Sequence, residues 1–461
     1  MLRLNRRDFL ESGLAAAAAA VAPFTARAAQ SGRPGPKGKG FIAGFGKADI
    51  TPSRPEPTNY SEPKVGPIGA IMDHVHVRTT YLGKGDEQAV LVSCDLLGLP
   101  TWFTDAVKSD LAKLGIPPDR VAITCSHDHT APQILFFRGI GQTDDTYNEF
   151  AKERIVQSVR DAMADAEPAA IGFGAIDAPL NVNRVQIGRL LKVNSLDTPS
   201  GRVDQQLCVI RIYQSKSRKA GLIYNFAAHP LTVWTNHLVI SSDYPGYASA
   251  ILEAEPDIKL AQFAQGCAGN MNTRINGDQA VTSQFARLLT DYVKKACAGI
   301  AMRSNPNLGM KTQEVHLPHA KLPTLQEVDS ILAAQEKKPP SSDTRVAEWA
   351  RSAKQALAEG RNLKTADAIF QGIRLGDARV AVLPGEVFAE IGLAIKRQVG
   401  GNVAVLAYSN NGEVGYVPTA EQLRLGGYEA QDAPRWYGLF PWSQDIEQYY
   451  VSHAVSLLQS L

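Results

Sequence analysis

Short apolar runs, each closing on a polar side chain, recur along this 461-residue chain. Gln88 to Val92 leads to Asp95, and Val121-Ala122-Ile123-Thr124 leads to Cys125-Ser126-His127-Asp128-His129. Gly221 to Ala228 ends at His229-Pro230, Leu260 to Ala264 at the Gly266–Asn270 loop, Ala378 to Leu383 at Pro384-Gly385-Glu386, and Val403 to Tyr408 at Asn410. Such runs, bounded by turn residues, read as buried strands. Between them lie stretches with apolar residues at helical spacing: Phe103 to Leu114, Tyr147 to Ala166, Tyr247 to Glu255, Thr282 to Ala298, and the segment from Glu386 to about Val399. Two more helical stretches fall between Thr324 and Asn362, broken by Lys338-Pro339-Pro340. Strands and helices that alternate without a compositional break predict one α/β domain. Hairpin signals at Lys84-Gly85-Asp86 and Ser215-Lys216-Ser217 make the sheets mixed. The expected architecture is a single large domain over 41–461, with mixed β-sheets flanked by α-helices.

The N-terminus reads differently. Asn5-Arg6-Arg7-Asp8-Phe9-Leu10 is a twin-arginine pattern, Leu14 to Val21 an Ala-rich apolar run too short to span a membrane, and Ala26-Arg27-Ala28 a cleavage site. Residues 1–29 are expected to be an export signal and 30–40, rich in Gly, Pro and Lys, a linker. The mature protein is then periplasmic or secreted. A formal net charge of +2 with no basic stripe gives nucleic-acid binding no support. The five cysteines are widely spaced with no C-x-x-C, which argues against a disulfide framework.

In α/β folds, ligands bind outside the carboxyl ends of strands. The polar groups that close these runs are what a site assembled from several strand ends would look like. On an extended backbone, His127 and His129 would share one side, roughly 6.5–7 Å apart. Each residue also has a plainer reading: Asp95 as a helix cap, His229 as a satisfied histidine before a proline turn, Glu386 at the positive end of a helix, the HxH pair as polar residues capping a strand. Two histidines and a carboxylate form a catalytic Zn²⁺ set, and zinc lowers the pKa of bound water from about 15.7 to about 7. H-E-x-x-H, G-x-S-x-G, Walker A and a strand-linked G-x-G-x-x-G are all absent. Trp436, Tyr437, Phe440, Trp442, Tyr449 and Tyr450 fit either a pocket lining or a packed core.

Seven motifs then fall in order: Gly46-Lys47-Ala48-Asp49-Ile50-Thr51-Pro52, Ser126-His127-Asp128-His129-Thr130-Ala131-Pro132, Asn183-Arg184, Ala228-His229, Ser242-Asp243-Tyr244-Pro245-Gly246-Tyr247, Pro384-Gly385-Glu386 and Gly415-Tyr416-Val417-Pro418-Thr419. The series resembles the neutral/alkaline (non-lysosomal) ceramidase family, a group of zinc amidases, from about residue 42 to 450. The resemblance implies that His127, His229, Glu386 and Tyr416 hold zinc and that His129 and Arg184 lie at the substrate. It implies a lipid substrate and transient contact with a membrane surface. Asp243 is a candidate to support the site from behind. The chain departs from the family in three ways. It is expected to lack the further C-terminal immunoglobulin-like domain. Gly266 stands where the family carries a serine sometimes proposed as nucleophile. Glu413 stands where a tyrosine is common.

The leading expectation is an exported zinc hydrolase of the sphingolipid type that cleaves an amide in a ceramide-like N-acyl lipid by attack of zinc-bound water. Its rivals are a zinc hydrolase of another ester or amide, in cell-wall or glycan turnover, and a non-catalytic periplasmic zinc-binding protein. The export reading is checked by replacing Arg6→Lys and Arg7→Lys together. The precursor is expected to stay in the cytoplasm on fractionation, and normal export would refute the twin-arginine assignment.

Overall fold

A computed structural model of the chain describes residues 40–54, 70–137, 143–185, 202–233, 238–339, 344–361 and 363–461. The expected signal (1–29) and nearly all of the linker (30–40) lie outside these residues. The first strands are β1 (Phe41–Asp49), β2 (Ala70–Ile71), β3 (His76–Lys84), β4 (Glu87–Cys94) and β5 (Val121–Cys125). They are followed by β6 (Glu167–Asp177), β7 (Asn181–Asn183), β8 (Gln206–Gln214), β9 (Ala220–Phe226), β10 (Val239–Ile240), β11 (Ile258–Gln265) and β12 (Met271–Thr273). The last third adds β13 (Leu308–Pro318), β14 (Thr365–Leu375), β15 (Ala378–Val382), β16 (Glu386–Val387), β17 (Asn402–Leu406) and β18 (Tyr416–Val417). The helices that pack on them are α1 (Thr101–Ala112), α2 (Asp145–Ala164), α3 (Asp243–Glu253), α4 (Gln279–Cys297), α5 (Leu325–Glu336), α6 (Arg345–Ala358), α7 (Ala389–Val399), α8 (Ala420–Leu425), α9 (Ala433–Tyr437) and α10 (Ile446–Gln459).

Eight strands form one mixed sheet in the order β11-β9-β8-β6-β1-β3-β4-β5, and four form a second in the order β13-β14-β15-β17. The two sheets pack face to face. Phe41, Phe45, Leu91 and Ile210 of the first share a core with Met310, Ile373, Val382 and Leu406 of the second. Side chains alternate across a strand, so each strand serves two cores. On β4, Ala89 and Leu91 face the other sheet while Val90, Val92 and Cys94 face α1 and α2. On β17, Ala404 and Leu406 face inward while Val403 and Val405 meet α7 and α10. Helices α3 and α4 cover β8, β9 and β11. The layers run helix, sheet, sheet, helix, and burial on both faces explains why the strands read as unbroken apolar runs. No helix of the described residues is long and apolar enough to cross a membrane. All five cysteines are free thiols.

The sequence reading missed two 11-residue strands, β13 and β14, and the last helix, α10. Charged and polar residues interrupt β13 (Lys311, Gln313, Glu314, His316) because part of that strand meets solvent, which hides its period. Of the six C-terminal aromatics, Phe440, Trp442 and Tyr450 are buried in the core. The Glu413 carboxylate accepts hydrogen bonds from Thr101 N at 2.8 Å and Thr101 Oγ1 at 2.9 Å, and so caps α1 from a distance.

Strand β1 carries a glycine where α2 presses on it. A Cβ on Gly46 would meet the carbonyl oxygen of Ser158 at 1.9 Å and the Ala162 nitrogen at 2.9 Å, all backbone. Gly46→Ala must push α2 off the sheet and is expected to lower stability by about 1–3 kcal/mol or more. The denaturant midpoint measures this, and an unchanged midpoint would refute the packing.

Candidate metal centre

The two histidine positions are held by backbone staples. Strand β5 ends at Cys125, and the chain turns through a left-handed residue, His127, with φ of 66°. The extended HxH geometry expected from sequence is therefore replaced by a tight turn, with the His127 N–H bonded to Leu96 O at 2.9 Å. The turn brings the His127 and His129 rings to 4.9 Å, edge to face. His229 follows β9, and its ring lies 4.9 Å from His127 and 5.6 Å from His129. Sequence reading had not assigned Gln265, at the end of β11, to this work. Its amide nitrogen donates to Ser126 O at 3.0 Å and Ala228 O at 2.8 Å, the carbonyls just ahead of His127 and His229.

Glu386 is not at a helix start. It begins the two-residue strand β16, paired in parallel with β18 so that Glu386 lies opposite Tyr416. Its Oε2 lies 3.0 Å from His127 Nε2 and 3.1 Å from His229 Nε2. The opposite ring nitrogens are spoken for. His127 Nδ1 lies 2.8 Å from Leu97 O, and His229 Nδ1 lies 2.7 Å from Ala268 O. A carbonyl can only accept, so Nδ1 of each ring carries a proton, and in a neutral ring Nε2 offers a lone pair. His127 Nε2 is also out of hydrogen-bond alignment with any partner among the described residues. Burial, reinforced by the Arg184 charge, pushes His229 down to about 4, so its ring is neutral at pH 7. Burial and the neighbouring histidines likewise hold His129 well below its ordinary value. Burial opposes the Glu386 charge, but the imidazoles facing it keep the carboxyl well below the usual range.

Three buried donor atoms thus face one point, and a proton on one Nε2, or a metal ion in its place, would relieve their crowding. Ligands about 2.1 Å from a tetrahedral metal stand about 3.4 Å apart, within a few tenths of the two nitrogen–oxygen spacings here. The imidazoles also show the pattern of metal ligands, each bonded through its other nitrogen to a carbonyl. The residues fit a metal ion. Two donor sets share His127 and His229: one is completed by Glu386, and the other by His129, whose nitrogen lies within 4.8 Å of both.

The remaining predicted residues fall around this point. Tyr416 accepts a hydrogen bond from Arg184 Nη2 at 2.9 Å. The Arg184 guanidinium also reaches Gly269 O at 2.9 Å, Asn272 Oδ1 at 3.2 Å and Glu429 Oε1 at 3.3 Å. Among the described residues four of its five N–H donors are engaged, so it braces Tyr416 and has one Nη1 donor unused there. Asp243 supports the loop after His229, accepting from Thr232 Oγ1 and, at 3.0 Å, from Val233 N. Asp95 and Asn410 do not belong to the site. Asp95 holds the buried Arg78 at 2.9 Å, and Asn410 Nδ2 donates to Gln371 at 2.9 Å. A contact that sequence reading did not assign comes from Tyr437, whose hydroxyl donates to Glu386 Oε1, the oxygen turned away from the histidines.

The family model for neutral/alkaline non-lysosomal ceramidase, N-terminal, matches residues 41–318. A neutral ceramidase of Pseudomonas aeruginosa is 26% identical over 168 residues, which make up 34% of this chain and 25% of that protein. The matched region thus spans a quarter of that relative's length. The crystal structure of neutral ceramidase from Pseudomonas aeruginosa has the same fold, with a TM-score of 0.69 and 19% identity over 92% of this chain and 75% of that one. A ceramidase complexed with C2 has a TM-score of 0.69 and 18% identity over 92% and 76% of the two chains.

Zinc titrated into metal-free protein is expected to bind one equivalent, and His229→Ala to abolish this binding. Tyr437→Phe should weaken zinc affinity about 10–100-fold, read by competition with a chelator. Wild-type affinity in Tyr437→Phe would show that its hydroxyl does not steady the carboxylate.

Proposed function

Because this chain belongs to the neutral/alkaline non-lysosomal ceramidase family, we propose that it hydrolyses the amide bond of a ceramide-like N-acyl lipid at a zinc site built from His127, His229, Glu386 and Tyr416. The observation that carries the reading is the approach of two Nε2 atoms to one carboxylate oxygen, at 3.0 and 3.1 Å. Glu386 is preferred to His129 as third ligand because it already stands at ligand spacing and brings the negative charge that a cation needs. Tyr416 lies beside it in the β16–β18 ladder. A zinc ion there supplies a Lewis acid for the carbonyl and a more acidic water.

The chain's own residues do the rest. Water adds its oxygen to the acyl carbon, the C–N bond breaks, and one water proton ends on the leaving nitrogen, giving a fatty acid and a free amine. His129, held neutral by burial, accepts that proton and passes it to the amine. Arg184 fixes the Tyr416 hydroxyl and turns its remaining donor toward a polar group of the substrate. The twin-arginine N-terminus supports a site of action outside the cytoplasm.

Zinc content by elemental analysis, beside hydrolysis of N-acyl lipids, tests the division of labour. His127→Ala is expected to lose both zinc and activity. His129→Ala should keep its zinc and lose about 10²–10⁴ in kcat. Equal zinc loss in both variants would make His129 a ligand. Hydrolysis of a glycan amide or an ester, with none of the lipids cleaved, would overturn the substrate class while leaving the metal site standing.

A further inference from the structure

Tyr408 lies against the metal centre yet has no part in the ligand set. Its ring is 4.3 Å from that of His127, tilted by 36°, and 6.2 Å from that of His229, perpendicular to it. Its backbone is clamped on both sides: its N–H bonds to Gly385 O at 3.1 Å, and its carbonyl accepts from Cys125 N at 3.0 Å. The clamp holds a bulky aromatic at φ 55°, a left-handed conformation that such residues rarely adopt. Five non-glycine residues among those described have positive φ, and His127, Asp243, Tyr408 and Asn410 are four of them. Strain gathered in this way is found at sites whose geometry is fixed for function.

The Tyr408 side chain is 6% exposed, and its hydroxyl has no hydrogen-bond partner among the described residues. A buried hydroxyl without a partner is costly. Phenylalanine would fill the same space without that cost, so packing explains the ring and leaves the oxygen unexplained. A phenolic hydroxyl with no partner of its own among the described residues has its proton to donate.

We propose that the Tyr408 hydroxyl is a catalytic hydrogen-bond donor, aimed at the acyl oxygen of the bound substrate as that oxygen gains negative charge. This rests on the reading of the site as an acyl hydrolase. No proton leaves Tyr408. The donor stabilises charge that develops on the oxygen while water adds to the carbon, as donors of an oxyanion hole do.

Tyr408→Phe tests this, because it removes one oxygen atom and keeps the ring against His127. In zinc-loaded protein, kcat on an N-acyl lipid is expected to fall about 10²–10³-fold with KM little changed. Zinc stoichiometry should be unaltered, and the melting temperature of the metal-free protein equal or higher, since an unpartnered hydroxyl has gone. Acetohydroxamate, which presents an anionic oxygen to a bound metal, should bind the zinc-loaded variant about tenfold more weakly by calorimetry. Wild-type kcat together with wild-type hydroxamate affinity would overturn the proposal. A lower melting temperature with loss of zinc would overturn it too, because the hydroxyl would then be structural. If wild-type protein cleaves no N-acyl lipid while hydroxamate binding still depends on Tyr408, the substrate reading fails and the donor stands.

Discussion

Two imidazole nitrogens stand 3.0 and 3.1 Å from one carboxylate oxygen, and the surrounding polar structure holds them there. Left alone, three lone pairs in a low-dielectric interior repel one another. The fold keeps them together through their other atoms. Leu97 O and Ala268 O fix the rings of His127 and His229 through Nδ1, and Tyr437 takes the second oxygen of Glu386. Each Nδ1 contact also fixes which nitrogen keeps its proton, so the site is prepared electrostatically as well as geometrically.

These restraints come from parts of the chain far apart in sequence, which is why the sandwich of two sheets matters. Strand β5 belongs to the large sheet, while β15 and β17 belong to the small one. Their ends are tied across the interface: Cys125 N bonds to Tyr408 O, Asn410 N to Ile123 O, and Ala407 N to Gln265 O. Gln265 then ties the His127 turn to the His229 turn. The apolar core between the sheets sets the distance between these strand ends, and a shift of one sheet on the other would move Glu386 away from both histidines. The centre thus depends on the packing of Leu91, Ile373 and Leu406 as much as on its own polar contacts.

The strand ends were legible in sequence because burial on both faces leaves unbroken apolar runs, and the polar residue that closes each run stands out. That signal found His127, His229 and Glu386. It also returned Asp95 and Asn410, which close runs equally well but serve Arg78 and Gln371, since periodicity says where a strand ends and nothing about which end meets which. The left-handed turn at His127 carries no residue signature, so the spacing of the HxH pair came out as that of a strand. Tyr437 and Tyr408 were hidden for a related reason. One aromatic among six in the C-terminal segment, and one at the end of a strand, look the same in sequence whether they pack or point. Strands β13 and β14 escaped because half-exposed strands borrow the composition of loops.

The Gly266–Asn270 loop is fixed by its own packing. A Cβ at Gly266 would sit 2.9 Å from the Ala227 Cβ and 3.0 Å from its Cα, so any side chain there would force the loop away from the turn that carries His229. Asn270 is committed at both ends of its amide: Oδ1 accepts from Ala389 N at 2.9 Å and Nδ2 donates to Glu390 at 2.8 Å. An aspartate would lose the donor and set two carboxylates against each other. Cys267, the nucleophilic side chain between them, is buried, and burial pushes its thiol up to about 12, out of reach as a thiolate. Without a serine or a usable thiol, the loop is left with bracing work: its Gly269 N–H bonds to Val387 O at 2.9 Å, next to Glu386. Under the hydrolytic reading, this loop then offers no attacking side chain, and its part is to hold the turn behind His229 and the strand that carries Glu386 in place.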